Sequence, residues 1–185
     1  IHNGVTLTEQ AKPWLRNRKF IAIGRLNEVK GFDVLIEAWK DISHELLIVG
    51  DGEEKLKLQQ LIDQYQLNDR VKLYGYSDHI HEQINQSEAL IISSFREGGP
   101  YTLSEALLLK RPVIGTDVGV LPEFIPQQFI CAPHDVPALN QLIHDYLSEN
   151  NIEQKFEMAF SQAQEKLSFN KMIEHTLSLY QRLKS

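Results

Sequence analysis

Two carboxylates stand eight positions apart in Glu97-Gly-Gly-Pro-Tyr-Thr-Leu-Ser-Glu105, just after the apolar run that begins at Ala89. On one continuous helix they would be separated by roughly 12 Å along the axis and about 80° around it, too far to share a small ligand. The break at Gly98, Gly99 and Pro100 changes that geometry. It leaves Glu97 in a loop behind a strand and Glu105 in the first turn of the next helix, so both can face one crevice. A competing reading of Glu105 needs no ligand. Thr102-Leu-Ser-Glu105 has the form of a capping box, in which hydroxyl and carboxylate satisfy backbone donors reciprocally. That reading leaves Gly98 and Gly99 unexplained, where missing side chains let a ligand approach backbone N–H groups closely.

A second group of residues suits an anion. After Phe20-Ile-Ala-Ile the chain reads Gly24-Arg25-Leu-Asn-Glu-Val-Lys30-Gly31-Phe32, with a guanidinium behind a strand and an ammonium just ahead of a helix. Arg offers a fixed fork of donors, Lys a mobile charge, and a helix amino end unpaired N–H groups, so one diphosphate could meet all three. Two ordinary solvated charges would explain the same residues.

The remaining candidates are better explained structurally. Gly50-Asp-Gly52 lacks the third glycine of a dinucleotide fingerprint and reads as a tight turn. Asp51 and Glu53 have no clear third ligand beside them, so no metal is expected. His79 and His81 are two apart near a helix start, with Ser77 and Asp78 as possible caps, and surface roles are expected of them. The single cysteine, Cys131, sits among apolar neighbours and reads as a buried core thiol. No nucleophile elbow, phosphate-binding P-loop or Cys-x-x-Cys occurs in the sequence.

These residues need a scaffold. Apolar runs at Phe20 to Ile23, Leu46 to Val49, Val71 to Tyr74, Leu90 to Ile92 and Pro112 to Ile114 read as strands. Between them Phe32, Leu35, Ile36 and Trp39, then Leu58, Leu61, Ile62 and Tyr65, carry the helical spacing. Alternating strands and helices predict a Rossmann-like α/β fold, a mostly parallel sheet with helices on both faces and its ligand site outside the carboxyl ends of the strands. The same helical spacing recurs three times between Leu139 and Tyr180 and gives a helical C-terminal tail, with Ser168 a plausible cap for its last helix.

With 185 residues and 42% hydrophobic content the chain suits one domain. Residues 1–19, polar, irregular and interrupted by Pro13, read as a linker leading into a domain over residues 20–185. The opening at Ile1 without Met reads as an excised fragment. A net charge of -6 argues against a nucleic-acid partner. Neither a membrane-spanning run nor a signal peptide is visible, and cytoplasmic chemistry is expected.

Taken in order, Asn3-Gly-Val, Gly24-Arg25-Leu with Lys30-Gly-Phe-Asp-Val-Leu-Ile-Glu-Ala, Leu47-Ile-Val-Gly-Asp-Gly, Arg70-Val with Gly75, Glu97 to Glu105, Arg111-Pro-Val-Ile and Leu121-Pro-Glu123 resemble the C-terminal half of family 4 retaining glycosyltransferases. The resemblance runs from Asn3 to about Ile125. It implies one half of a GT-B enzyme, the half that binds a nucleoside diphosphate sugar, with an acceptor-binding half outside this chain. It also implies roles. Arg25 and Lys30 would bind the diphosphate, Glu105 the ribose hydroxyls and Glu97 the transferred sugar. Gly98, Gly99 and the backbone of Tyr101, Thr102 and Leu103 would line the sugar and phosphate pocket, and Gly75 and Tyr76 the nucleobase pocket.

Neither metal nor other cofactor is implied, and any membrane contact would belong to the other half. Gly98-Gly-Pro departs from the bulkier aromatic and glycine of many relatives and resembles branches that build bacterial surface polysaccharide from UDP-sugars. A GT-B relative that hydrolyses or epimerises a sugar nucleotide, and a non-catalytic nucleotide-binding module, remain alternatives. An NAD-dependent oxidoreductase fits less well, because the first strand leads to Gly-Arg-Leu where the glycine fingerprint should stand.

Overall fold

The computed structural model describes residues 1–183. Six strands form one parallel sheet: β1 (Lys19–Ile23), β2 (Glu45–Val49), β3 (Val71–Gly75), β4 (Ala89–Ile92), β5 (Val113–Thr116) and β6 (Ile130–Cys131), in the spatial order β3-β2-β1-β4-β5-β6. All of β4 and β5 and the middle of β1 are buried, whereas in β3 at the edge buried or half-buried residues alternate with exposed ones. That contrast is what inner strands covered on both faces and an edge strand require.

The crossovers are α1 (Phe32–Ala38), α2 (Lys55–Gln64), α3 (Ile80–Asn85) and α4 (Tyr101–Leu108), with a short α5 (Leu121–Phe124) before β6. The tail supplies α6 (Val136–Ser148), α7 (Ile152–Lys166) and α8 (Phe169–Leu183). Helix α1 packs on α2 and α6, while α4 packs on α3 and α7. The sheet is therefore covered from both sides, as the alternation of elements predicts. One aromatic group welds α1, β1 and α6 together, Phe20 meeting both Trp39 and Tyr146 edge-on. Ser168 does cap the last helix, its hydroxyl accepting from the Lys171 amide.

Residues 1–18 fold back onto the domain. Val5 bridges to the segment between α7 and α8, Trp14 donates its indole N–H to the carbonyl of Glu88, and Arg16 donates to the last carbonyls of α6 and to that of Glu149. Among the described residues, no helix is long and apolar enough to cross a membrane.

Candidate functional site

The strand order reverses between β1 and β4, and the loops behind these two strands meet there. This is the place where a doubly wound sheet opens a crevice for ligands. The loops are laced together: the Phe95 amide donates to the carbonyl of Val29 at 2.8 Å, and the Ser93 hydroxyl to the carbonyl of Lys30 at 2.9 Å. Gly31 makes the approach possible. Its φ is 61°, and a Cβ there would fall 2.3 Å from the carbonyl oxygen of Ser93.

Across this junction Lys30 Nζ lies 2.5 Å from Glu97 Oε1, which also accepts the Ser94 hydroxyl at 2.8 Å. The two side chains are only 24% and 13% exposed. The Lys30 stem lies against Gly24, where a Cβ would come within 3.0 Å of its Cε. Arg25 stands at the rim, 71% exposed, with Nη2 3.2 Å from Glu53 Oε2. An ion pair this exposed is weak and screened by salt, so an arriving anion can compete for the guanidinium. The Glu53 carboxyl is held below its ordinary range by its own backbone amide and, less strongly, by Arg25.

The Gly50-Asp-Gly52 turn buttresses this loop. Asp51 accepts from the Leu26 amide, and Leu26 accepts from the Glu54 amide, each at 2.9 Å. At Gly50 (φ 144°) a Cβ would overlap the carbonyl oxygen of Gly24.

Two expectations, one at α4 and one at α3, need correction. The capping box does not form. Pro100, at φ -67° and ψ 131°, occupies the cap position, and no side chain caps the helix. Thr102 is consequently the second helical residue, and Glu105 lies a full turn in rather than in the first turn. The open amino end of α4 therefore sits directly behind Gly98 and Gly99, and a Cβ at Gly98 would meet no atom within 4 Å.

His81 is the second correction. Its side chain is 11% exposed, not a surface group, and Nε2 lies 3.3 Å from Glu105 Oε1. Its other nitrogen, Nδ1, accepts from the Thr8 amide at 3.0 Å. His79 holds the cap position of α3, its amide donating to Ser77 Oγ. Cys131 is half-buried; burial raises its thiol to about 11, which keeps it protonated at neutral pH.

The remaining predicted residues divide by exposure. Tyr101 is 59% exposed at the mouth of α4, whereas the Leu103 side chain is in the core and only its backbone can serve a ligand. Gly75, at φ 90°, ends β3 beside the loop behind β2, its carbonyl accepting the Gly50 amide. Tyr76 is exposed and donates to Asp78 Oδ1 at 2.8 Å, which holds its phenol above the ordinary range. A cavity of about 280 Å3 opens beside Gly98 and Gly99, lined also by His2, Asn3, Ser104 and Val120. A larger concavity of about 640 Å3 along α7, lined by Lys110, Glu153, Glu157 and Phe160 among others, shares no residue with the crevice.

The strand order, the reversal at β1 and β4 and the loops that meet there define a Rossmann-like unit of the kind that makes one half of a GT-B glycosyltransferase. Residues 8–166 match the family described as glycosyl transferases group 1, and the chain belongs to that family. It is 41% identical over 111 residues to an uncharacterized glycosyltransferase of Methanocaldococcus jannaschii, covering 57% of this chain and 27% of that protein. It is 35% identical over 105 residues to the amylovoran biosynthesis glycosyltransferase AmsD of Erwinia amylovora, covering 55% and 30%. The N-acetyl-alpha-D-glucosaminyl L-malate synthase of Bacillus anthracis is 34% identical over 109 residues, covering 57% and 29%. The aligned part thus spans less than a third of these relatives.

Among solved structures, a TarM variant of S. aureus in a complex that includes UDP superposes with a TM-score of 0.84 at 23% identity, over 96% of this chain and 38% of that one. Anabaena HepE in complex with UDP gives 0.79 at 23%, over 88% and 48%. At such identities the likeness establishes the fold.

Proposed function

We propose that this chain is the donor-binding half of a retaining glycosyltransferase. It takes a nucleoside diphosphate sugar, with UDP favoured, for transfer to an acceptor in bacterial surface polysaccharide or lipopolysaccharide synthesis. The observation that carries the reading is the juxtaposition of Lys30 with Glu97 across the strand-order reversal. It sets a cation and a carboxylate side by side where a sugar diphosphate has opposite needs at its two ends.

As the anomeric C–O bond breaks, the departing diphosphate gathers negative charge and the sugar ring positive charge. In this reading Lys30, Arg25 and the uncapped amino end of α4 stabilise the first, and Glu97 orients the sugar hydroxyls and favours the second. With two cations and a helix terminus available, the scheme assigns no step to a metal or other cofactor. Glu105 takes the ribose hydroxyls, Gly75 and Tyr76 the nucleobase, and Gly98, Gly99 and the backbone of Tyr101, Thr102 and Leu103 the phosphates and sugar. UDP is favoured because the solved structures of TarM and HepE contain it, and the polysaccharide context because relatives such as AmsD are named for it. The acceptor half belongs to the rest of the full-length enzyme, so this half alone binds donor without turning it over.

Calorimetric titration with UDP, GDP, ADP and NAD tests the reading, repeated on Arg25→Ala and Glu105→Ala. Binding of one nucleoside diphosphate that both variants weaken is expected. Binding of NAD alone, or of UDP unaffected by either substitution, would overturn it.

A further inference from the structure

We infer that His81 is a positioning residue, one that holds the Glu105 carboxylate for the ribose and ties it to Thr8 in the leading segment. The inference rests on the assignment of Glu105 to the ribose hydroxyls.

The geometry fixes the imidazole. Nδ1 accepts from the Thr8 backbone amide at 3.0 Å, with the Thr8 hydroxyl 2.7 Å from the same nitrogen. A backbone amide only donates, so Nδ1 carries the lone pair and the neutral ring keeps its proton on Nε2. That N–H is buried. It lies 3.3 Å from Glu105 Oε1 without the alignment of a formed hydrogen bond, and no other hydrogen-bond partner reaches it among the described residues. A buried donor without a partner is unfavourable, and the carboxylate beside it is the acceptor that removes the penalty.

Glu105 can meet both demands, because a carboxylate has two oxygens and about four lone-pair sites. One side accepts ribose hydroxyls while the other takes the His81 proton. The neighbouring elements agree with this role. His81 lies in α3, only a few residues beyond Gly75 and Tyr76, and α3 packs against α4, which carries Glu105. A single imidazole thereby joins the proposed nucleobase loop, the ribose carboxylate and the leading segment.

The discriminating probe is ribose against 2′-deoxyribose. UDP and 2′-deoxy-UDP are titrated calorimetrically into the full-length protein and into Glu105→Gln, His81→Asn, His81→Gln and the double variant H81N/E105Q. Asn at 81 keeps an amide near Thr8 and falls short of Glu105, whereas Gln reaches Glu105.

The wild type is expected to prefer UDP, and Glu105→Gln to lose most of that preference, roughly tenfold for a hydrogen bond to a charged group. His81→Asn should lower UDP affinity several-fold with little change for 2′-deoxy-UDP. His81→Gln should restore it, and the double variant should bind no worse than Glu105→Gln alone. Equal weakening of both nucleotides by His81→Asn would make His81 merely structural and overturn the inference. So would an unchanged preference in His81→Asn while Glu105→Gln loses its own. A preference that survives Glu105→Gln would instead remove the ribose assignment, and the inference with it. Should His81→Asn not fold, Thr8→Pro, which removes the amide that fixes the tautomer, is read in the same way.

Discussion

Lys30 Nζ and Glu97 Oε1 lie 2.5 Å apart across the seam between the β1 and β4 loops, in side chains that solvent reaches only in part. On the function proposed above, the pair holds the two charges that a sugar diphosphate needs, each neutralising the other until a donor takes its place. Glu97→Gln keeps the size of the side chain and its capacity to accept the Ser94 hydroxyl, and removes the charge. Turnover of the full-length enzyme should then fall about 10²–10³-fold, the scale for losing one preorganised electrostatic group, while the donor KM changes little. Lys30→Met should raise the donor KM as well as lower kcat. Steady-state kinetics with saturating acceptor separates the two, and an unchanged kcat in Glu97→Gln would remove that residue from the active site.

At the other end of the sheet Glu88, 1% exposed, sits just before β4. Its Oε2 accepts the Arg18 amide at 3.0 Å, whereas Oε1 has no formed hydrogen bond among the described residues and lies 3.9 Å from Arg16 Nε. Burial raises this carboxyl above its ordinary value of 4.5. In the window between that value and the raised one, the folded chain holds the proton more tightly than the unfolded chain. Stability therefore falls as pH rises through the window and is fully present only below it. Glu88→Gln should melt higher than the wild type at pH 7.5, with the gap closing as the pH approaches 4.5, and nucleotide binding should not change. A gap independent of pH in scanning calorimetry would show that Arg16 already compensates the charge.

Arg111 is 1% exposed, and its guanidinium is met by backbone carbonyls. Its guanidinium donates to the carbonyls of Lys12, Leu109, Lys110 and Asn85 at 2.8 to 3.3 Å, and to that of Pro13 at 3.5 Å. It pins the leading segment to α3 and to the end of α4. Lys retains the charge but lacks the planar fork. Arg111→Lys should cost roughly 3 kcal/mol in urea unfolding, the scale for disrupting a buried charged network. A loss below about 0.5 kcal/mol would mean that solvent serves those carbonyls equally well.

Much of this arrangement is legible in the sequence where burial is continuous. The strands β1, β2, β4 and β5 are apolar runs because both faces are covered, and the tail helices keep the helical spacing over several turns. The two-residue β6 carries no such pattern, and its pairing with β5 depends on the rest of the sheet. Lys30 and Glu97 are each identifiable as residue types behind strands, but they are 67 positions apart and only the topology makes them partners. The capping box misleads because its four residues fit the pattern locally while Pro100 takes the cap. His81 carries no sequence signal at all. Its contact to Thr8 spans 73 positions, and two histidines two apart suggest nothing about a carboxylate in a later helix.

Two glycines separate a requirement of the fold from a requirement of the ligand. Gly31 is held at φ 61°, and a Cβ there would meet the Ser93 carbonyl oxygen at 2.3 Å and the Phe95 ring at 2.7 Å. Alanine must therefore both adopt a left-handed backbone and push the β1 and β4 loops apart. Gly31→Ala should lose roughly 2 kcal/mol or more, read as a fall of about 4–8 °C in Tm for a chain of this size. Gly98 faces open space, with no atom within 4 Å of the added carbon, so Gly98→Ala should melt within about 0.5 kcal/mol of the wild type. If the glycine is there to let a phosphate or sugar hydroxyl reach the backbone, the same variant should still bind the donor about tenfold more weakly, the loss of one charge-assisted hydrogen bond. Thermal unfolding and donor titration on one preparation give both numbers, and a Gly98→Ala protein with undiminished donor affinity would place the diphosphate away from this loop.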